Sequence, residues 1–389
     1  MGSSITKELK SRAEIMAATA AESADAVDRE ARFPTEAFTA ARAQRLLGMQ
    51  VPTELGGDGA NVGDAVNICY MLGRVCSSTG MIFAMHQIMV AILVRHARGS
   101  AWHEEFLKKI ASEQLLLASS TTEGQSGGDL RNSACAVERS GSHISLSKNA
   151  TVVSYGAQGD AILTTARRAP EAPSSDQVLV AFVKPEYQLT AIGDWNTLGM
   201  RGTCSPGFEL KGTGVPEQVL PEPYQRIHTH TMMPVAHLTW SAVWSGVAAG
   251  AVERARRLTR AAARRGGGQL PPSTTHFTRA AMSLRSLRMI VSSALLRFET
   301  AEKSEEIESI DFQNSLNLLK VNASELATTT VLSAMQACGL AGYRNEGEFS
   351  VSRHLRDVLS SSVMINNDRI LASSASGALL VEVPGLLRD

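Results

Sequence analysis

The order of periodicities constrains this chain more than any other feature: a block of short β-rich runs stands between two blocks with a helical pattern. From residue 5 to about 109 the sequence is Ala-rich, with apolar residues at spacings of three and four and polar breaks between them. One break is Pro52-Thr-Glu-Leu-Gly-Gly-Asp-Gly59, a Gly-rich turn between a helix around 37–47 and another starting near Asp64, the expected N-cap. The runs 143–147, 151–155, 161–165 and 177–183, followed by 208–210, are β-rich and separated by Gly, Pro, Ser and Asp. From about residue 233 the helical period returns in four long segments, 236–265, 273–304, 312–341 and 352–380. The expected class is α+β, mainly α: an N-terminal helical domain at 1–115, a central β-barrel or sheet domain at 116–232 and a C-terminal four-helix bundle at 233–389.

Charge narrows the function. Lys and Arg number 38 against 38 Asp and Glu, so nothing in the overall charge favours nucleic acid or an anionic membrane as partner. No run approaches the roughly 18 to 20 apolar residues of a membrane-spanning helix, and the first residues lack a secretory pattern, so a cytoplasmic protein is expected. The five cysteines are scattered with no CxxC, an argument against a disulfide framework and a zinc site, and no metal is expected.

Six segments carry chemistry or tight turns. Besides 52–59 they are Thr122-Glu-Gly-Gln-Ser-Gly-Gly-Asp129, Lys148-Asn-Ala-Thr-Val-Val-Ser-Tyr-Gly-Ala157, Leu198-Gly-Met-Arg-Gly-Thr-Cys-Ser205, Gln336-Ala-Cys-Gly-Leu-Ala-Gly-Tyr343 and Ser352-Arg-His-Leu-Arg-Asp357. In this order, over about residues 30 to 370, they resemble the acyl-CoA dehydrogenase family. The resemblance implies FAD. Thr122, Ser126 and Gly127 would line the flavin through a loop of small residues, and Ser154 and Tyr155 would contact the ring. Trp195 packs either on the flavin or in the β domain. Gln336, Gly339 and Gly342 would reach the adenosine diphosphate part across a subunit interface, with Arg264 pairing with the pyrophosphate from the neighbouring subunit. Leu340 stands where the family has a further Gly.

The family reaction removes a proton from the α-carbon of an acyl thioester while a hydride leaves the β-carbon for flavin N5. That needs a carboxylate base in an apolar pocket. The resemblance implies a Glu in the turn before the Arg-Asp helix. Counting back from Arg356-Asp357 selects Glu348, and counting forward from Gly342-Tyr343 selects Glu346, because this turn is two residues longer than the common pattern. Glu348 is favoured, since the downstream spacing keeps its helix in register; otherwise both are solvent-facing loop carboxylates. On the first bundle helix only His237 offers a base, and a packed or capping role suits it better. Where the family has Glu-Gly-Thr, this chain reads Met364-Ile-Asn-Asn-Asp-Arg-Ile370; Asn366 and Asn367 still offer hydrogen bonds to a flavin edge.

These readings give an FAD-dependent oxidoreductase performing α,β-dehydrogenation of an acyl-CoA or carrier-protein-bound acyl group, with an electron-transfer flavoprotein as acceptor and a homodimer or homotetramer as the assembly. The alternative keeps the fold and reacts with O2 as an oxidase or monooxygenase, with Ser154 and His354 the residues of interest. A non-catalytic scaffold is the third. Arg256, Arg257 and Arg260 offer a basic rim for a CoA handle or a solvated helix face.

Overall fold

The computed structural model describes residues 6–123, 132–383 and 385. It has the expected class: a helical layer, a central β layer and a helical C-terminal part. The first layer comprises α1 (Lys7–Glu30), α2 (Thr35–Ala43), α3 (Val62–Gly73), α4 (Ser77–His96) and α5 (Ala101–Glu113). Helix α1 starts where the Thr6 hydroxyl accepts the Leu9 amide, 3.2 Å, and buries Leu9, Ala13, Met16, Ala20, Ala24 and Val27, a single stripe. Helix α3 is capped by Asn61, not Asp64. The Asn61 side chain accepts from the Asp64 amide at 2.9 Å while the Asp64 carboxylate accepts from the Asn61 amide at 3.0 Å, a reciprocal capping box. Helix α4 corrects the hydropathy reading, because it is long and apolar enough to cross a membrane by length and composition. Here it is a core helix, with 89% of its most apolar window buried.

The β layer consists of two small sheets. One has the order β1–β4–β5, from β1 (Leu117–Ser120), β4 (Ala161–Arg167) and β5 (Gln177–Val183). The other has the order β2–β3–β7–β6, from β2 (Glu138–Ser140), β3 (His143–Ala150), β6 (Tyr187–Ile192) and β7 (Gly207–Gly214). Only β1 and β4 pair in parallel among these strands. Lys148 of β3 ties the sheets together: its buried ammonium donates to the Ser120 carbonyl at 2.9 Å and to the Thr165 carbonyl and hydroxyl at 2.8 Å each. Glu123 lies 3.4 Å away. Burial works against the Glu123 charge, but Lys148 and hydrogen bonds from Ser133 and the Ala134 and Cys135 amides hold its carboxyl below the usual range. The expected run 151–155 is not a strand. It is a turn that places Tyr155 at φ +43 ahead of a single 3₁₀ turn.

A short helix α6 (Tyr224–Ile227) and a π-helical turn at 228–232 run without a break into α7 (Met233–Arg265). Helices α8 (Thr274–Ala301) and α9 (Ile310–Tyr343) pack along α7. The last expected segment is two helices, α10 (Ser352–Val363) and α11 (Asn367–Leu380), because residues 364–366 form a turn with Ile365 at φ +57 and Asn366 at φ +52. Helix α7 approaches α3 closely. A Cβ on Gly246 would stand 2.3 Å from the Tyr70 carbonyl oxygen, and one on Gly73 2.3 Å from that of Val243, so only glycine allows the crossing.

Candidate active site

Four of the sequence segments meet at the junction of the β layer and α10. The loop after β1 and the turn after β3 touch through their hydroxyls, Thr151 donating to Thr122 at 3.3 Å. Ser205, from the 198–205 loop, donates to Ser154 at 2.9 Å and lies 2.8 Å from the Thr203 hydroxyl. The same loop docks on α10: the Met200 amide donates to the Asp357 carboxylate at 2.7 Å and Arg356 donates to the Leu198 carbonyl at 3.1 Å. Gly199 makes this approach possible, since a Cβ there would stand 2.2 Å from the Arg356 carbonyl oxygen. Arg356 also forms a fork with both oxygens of Asp28 on α1, so α10 is braced against both earlier layers. Asp357 is fully buried. Burial raises its carboxyl above the usual range, opposed by Arg353 and by the Met200 amide.

The expected residues do not all gather there. Tyr155 is buried in the β layer, its hydroxyl donating to the Leu117 carbonyl at 2.8 Å. This corrects its expected place on a cofactor edge, because the left-handed turn at 155 directs the ring inward. Trp195 donates to the Met200 carbonyl at 3.2 Å and stabilises its own loop. Ser126 and Gly127 lie outside the described residues. Asn366 is exposed and caps α11, accepting from the Asp368 amide at 3.0 Å. Asn367 is buried, accepts from Lys320 at 2.7 Å and donates to the Ser324 hydroxyl at 2.9 Å. Lys320 is fully buried, 5.7 Å from the Trp244 ring centroid, and burial lowers its ammonium to about 8. The sequence reading missed this lysine; its signal was a charge on an otherwise apolar helix stretch, between Leu319 and Val321.

Neither candidate base lies in an apolar pocket. Glu346 and Glu348 are exposed, and Glu348 is paired with Arg257. The turn that carries them bulges outward, held by the Ser350 hydroxyl on the Arg344 carbonyl at 2.6 Å and the Ser350 amide on the Gly347 carbonyl at 3.0 Å. The extra turn residues therefore lengthen the surface loop and leave the carboxylates outside the core. His237 is buried against the Leu316 carbonyl, 3.0 Å, and burial pushes its imidazole down to about 3. His354 is buried and kept neutral by burial and by the charges of Arg254 and Arg353, with Arg254 donating to its Nε2 at 3.1 Å.

A second region lies at the C-terminal half of α7. Arg256, Arg257, Arg260 and Arg264 line a cleft of about 330 Å³ with Glu348 and Phe349. Arg256 pairs with Glu253 at 2.6 Å. Arg260 and Arg264 have no ion-pair partner among the described residues. Gln336 and Gly339 are exposed near the end of α9. Gly339 breaks that helix with φ +55 and ψ −139, and no neighbouring atom lies within 4 Å of where its Cβ would stand. Gly342 is a packing position instead, since a Cβ there would stand 2.5 Å from that of Cys338.

Comparison with known proteins agrees with this layout. The acyl-CoA dehydrogenase N-terminal domain model matches residues 6–114, and the C-terminal domain model of the same family matches residues 229–365. The probable acyl-CoA dehydrogenase FadE25 of Mycobacterium tuberculosis is 25% identical over 363 residues, 91% of this chain and 90% of that protein. The dibenzothiophene monooxygenase of Mycolicibacterium goodii is 28% identical over 249 residues, 61% of this chain and 59% of its own length. The crystal structure of FMN-bound TdsC from Paenibacillus sp. A11-2 superposes with a TM-score of 0.84 at 17% identity, covering 97% of this chain and 98% of that one. With both domain models spanning the helical layer and the bundle, and the motif loops converging between them, the chain belongs to the acyl-CoA dehydrogenase family of flavoprotein oxidoreductases.

Proposed function

We propose that this protein is a flavin-dependent oxidoreductase whose electrons go to O2, a monooxygenase or oxidase built on the acyl-CoA dehydrogenase fold. The observation that carries this is the position of the carboxylates: neither expected base lies in the core, and the buried carboxylate at the junction, Asp357, is already engaged by the Met200 amide at 2.7 Å. Dehydrogenation of a thioester begins with removal of a weakly acidic α-proton, which calls for a carboxylate whose proton affinity is raised in an apolar pocket. Glu346 and Glu348 are exposed on a surface turn, Glu348 ion-paired with Arg257, and the turn after α10 carries Met364, Ile365 and Asn366 with no carboxylate. The likeness to a dibenzothiophene monooxygenase supports the same reading.

The residues present fit a flavin dinucleotide. The hydroxyls of Thr122, Thr151, Ser154 and Ser205 gather at one junction and offer polar contacts to a ring edge. The open backbone at Gly339, together with Arg260 and Arg264, which have no ion-pair partner among the described residues, suits a diphosphate. When bound, the flavin supplies the redox centre that exchanges electrons with substrate and acceptor. The Ser205–Ser154 pair and its Thr203 neighbour form a hydrogen-bonded chain able to orient a polar group at Ser154. The neutral His237 and His354 remain packing groups.

Acyl-thioester dehydrogenation, with an electron-transfer flavoprotein as acceptor, is the second reading. The arginine cleft beside Glu348 favours it, because a CoA or carrier-protein phosphate would fit there. One experiment separates the two: anaerobic titration of the flavin-loaded protein with short, long, branched and aromatic acyl-CoAs, followed by exposure of the chemically reduced protein to O2. We expect no thioester to bleach the oxidised-flavin band, and O2 to reoxidise the bound flavin at a rate unlike that of free flavin. Bleaching by one thioester class overturns the oxygen reading in favour of the dehydrogenase.

A further inference from the structure

The π-helical turn at 228–232, which leads into α7, is pinned from outside at every residue. Its backbone bonds from residue i to i+5, a geometry found mostly as single turns at functional places in helices. His228 lies against the Tyr224 ring, centroids 5.9 Å apart. The Thr229 carbonyl accepts from the Gln313 side chain at 3.1 Å, and His230 Nε2 meets Glu308 at 2.5 Å. The Thr231 hydroxyl lies 2.7 Å from His96 Nε2, and Met232 Sδ accepts from the Tyr224 hydroxyl at 3.0 Å. His96 ends α4, Tyr224 opens α6, Glu308 stands in the 3₁₀ turn at 305–308 between α8 and α9, and Gln313 lies on α9. The helical layer, the exit from the β layer and the bundle are therefore fastened together at this one turn.

The ionisable groups among these pins form a continuous chain. His96 Nδ1 lies 2.8 Å from Glu222, Glu222 3.1 Å from Arg226, Arg226 3.4 Å from Glu308 and Glu308 2.5 Å from His230. The two ends then meet, the His96 and His230 rings standing edge to face with centroids 6.5 Å apart. Their surroundings differ. His230 is half-buried, and a positive charge there would tighten its bond to Glu308. His96 is buried, with both ring nitrogens occupied. The Glu222 carboxylate can only accept, so Nδ1 carries the hydrogen and Nε2 of the neutral ring accepts from the buried Thr231 hydroxyl. A proton on Nε2 takes away that acceptor and places a charge in the core. Glu222 offsets little of the charge, because Arg226 already pairs with it. Arg95, beside His96 and paired with Glu302 of α8, opposes the charge, as does His230; His228 is the other imidazole of the turn. Burial accordingly lowers the His96 imidazole below its ordinary value of 6.5, against the pull of Glu222.

We propose that this cluster is an acid-sensitive latch: protonation of His96 breaks the bond it accepts from Thr231 and frees the π-helical turn, and with it the start of α7, from the end of α4. Above pH 6.5 the latch is closed. The open form takes up the proton more readily than the closed one, so opening grows as pH falls below 6.5. The latch sets how firmly α7 is seated on α4, whatever reaction the flavin site performs.

The test is hydrogen–deuterium exchange of the full-length protein between pH 5.5 and 7.5, corrected for the intrinsic pH dependence of exchange. It is read on peptides covering 224–236, with α3 as the internal reference. Exchange of the turn should speed up by up to about tenfold from pH 7.5 to 5.5, the limit for one group that titrates at 6.5 in the open form, while α3 stays protected. His96→Gln keeps an amide able to bond Thr231 and takes up no proton, so its exchange should not respond to pH. His230→Gln should keep the wild-type response. Exchange in the wild type that is flat across the pH range overturns the latch. So does an acid response that persists in His96→Gln, one that vanishes in His230→Gln, or one shared by α3, which reports global unfolding.

Discussion

Lys320 shows how a single buried charge constrains this protein. Its ammonium is enclosed by the bundle with Asn367 as its hydrogen-bond acceptor and the Trp244 ring nearby. Burial lowers its folded pKa from 10.5 to about 8. In the unfolded chain the group keeps its ordinary value, so between pH 8 and 10.5 the unfolded state binds more protons than the folded one. Stability contributed through this group is therefore lowest below pH 8 and rises as pH climbs towards 10.5, by about 3 kcal/mol at most. Lys320→Met removes the charge while keeping the length. Urea unfolding at several pH values should show the wild type gaining stability relative to the variant across that window, and parallel curves would show that the ammonium is not desolvated. The position also fixes the turn ahead of α11, since Asn367 holds Lys320 with one end of its amide and Ser324 with the other. The left-handed Ile365, uncommon for a β-branched residue, is retained in that turn.

At the level of elements, the decisive contact is the docking of α10 on the 198–205 loop. The loop closes against the helix backbone through the Met200 amide and the Asp357 carboxylate, and Gly199 leaves no room for a side chain. Gly199→Ala should force the loop and α10 apart, costing about 3 kcal/mol from overpacking and weakened hydrogen bonds. A urea midpoint unchanged within error would show that the contact is loose. The same contact explains a difference from the sequence reading. Periodicity across 352–380 continues through 364–366 without a proline or glycine, so one helix was expected where the chain forms two. The break is imposed from outside, by α10 gripping the β layer and α11 returning to α9 through Asn314 and Asn367. Likewise 151–155 has strand-forming residues, yet contacts of the Val153 amide with Pro206 and of the Tyr155 amide with Thr203 turn it into a loop.

The whole molecule leaves apolar surface on the outer face of the bundle. Met282, Met289 and Leu296, spaced by seven residues on α8, are 66%, 65% and 53% exposed, and Leu340 and Tyr343 at the end of α9 are 68% and 71% exposed. We propose that a second copy of this chain covers this face, in a homodimer or homotetramer. Met289→Asp should weaken such an assembly about a hundredfold, the effect of placing a charge in an apolar contact. Light scattering after gel filtration should then give a smaller mass than for the wild type; equal masses would exclude α8 from the interface. The sequence alone determined the three-layer order, the helical and strand runs with strong periodicity, and the family, because these depend on local pattern and on glycine-rich turns at fixed order along the chain. It also located the segments 122–129, 148–157, 198–205 and 352–357, whose hydroxyl, glycine and arginine residues the fold brings together where they are described. Only the tertiary structure decided which side chains face that junction and which face the core or solvent. Tyr155 turned inward, Glu346 and Glu348 came to lie outside, and Lys320 was buried, because burial and charge pairing depend on elements distant in sequence whose packing no local spacing specifies.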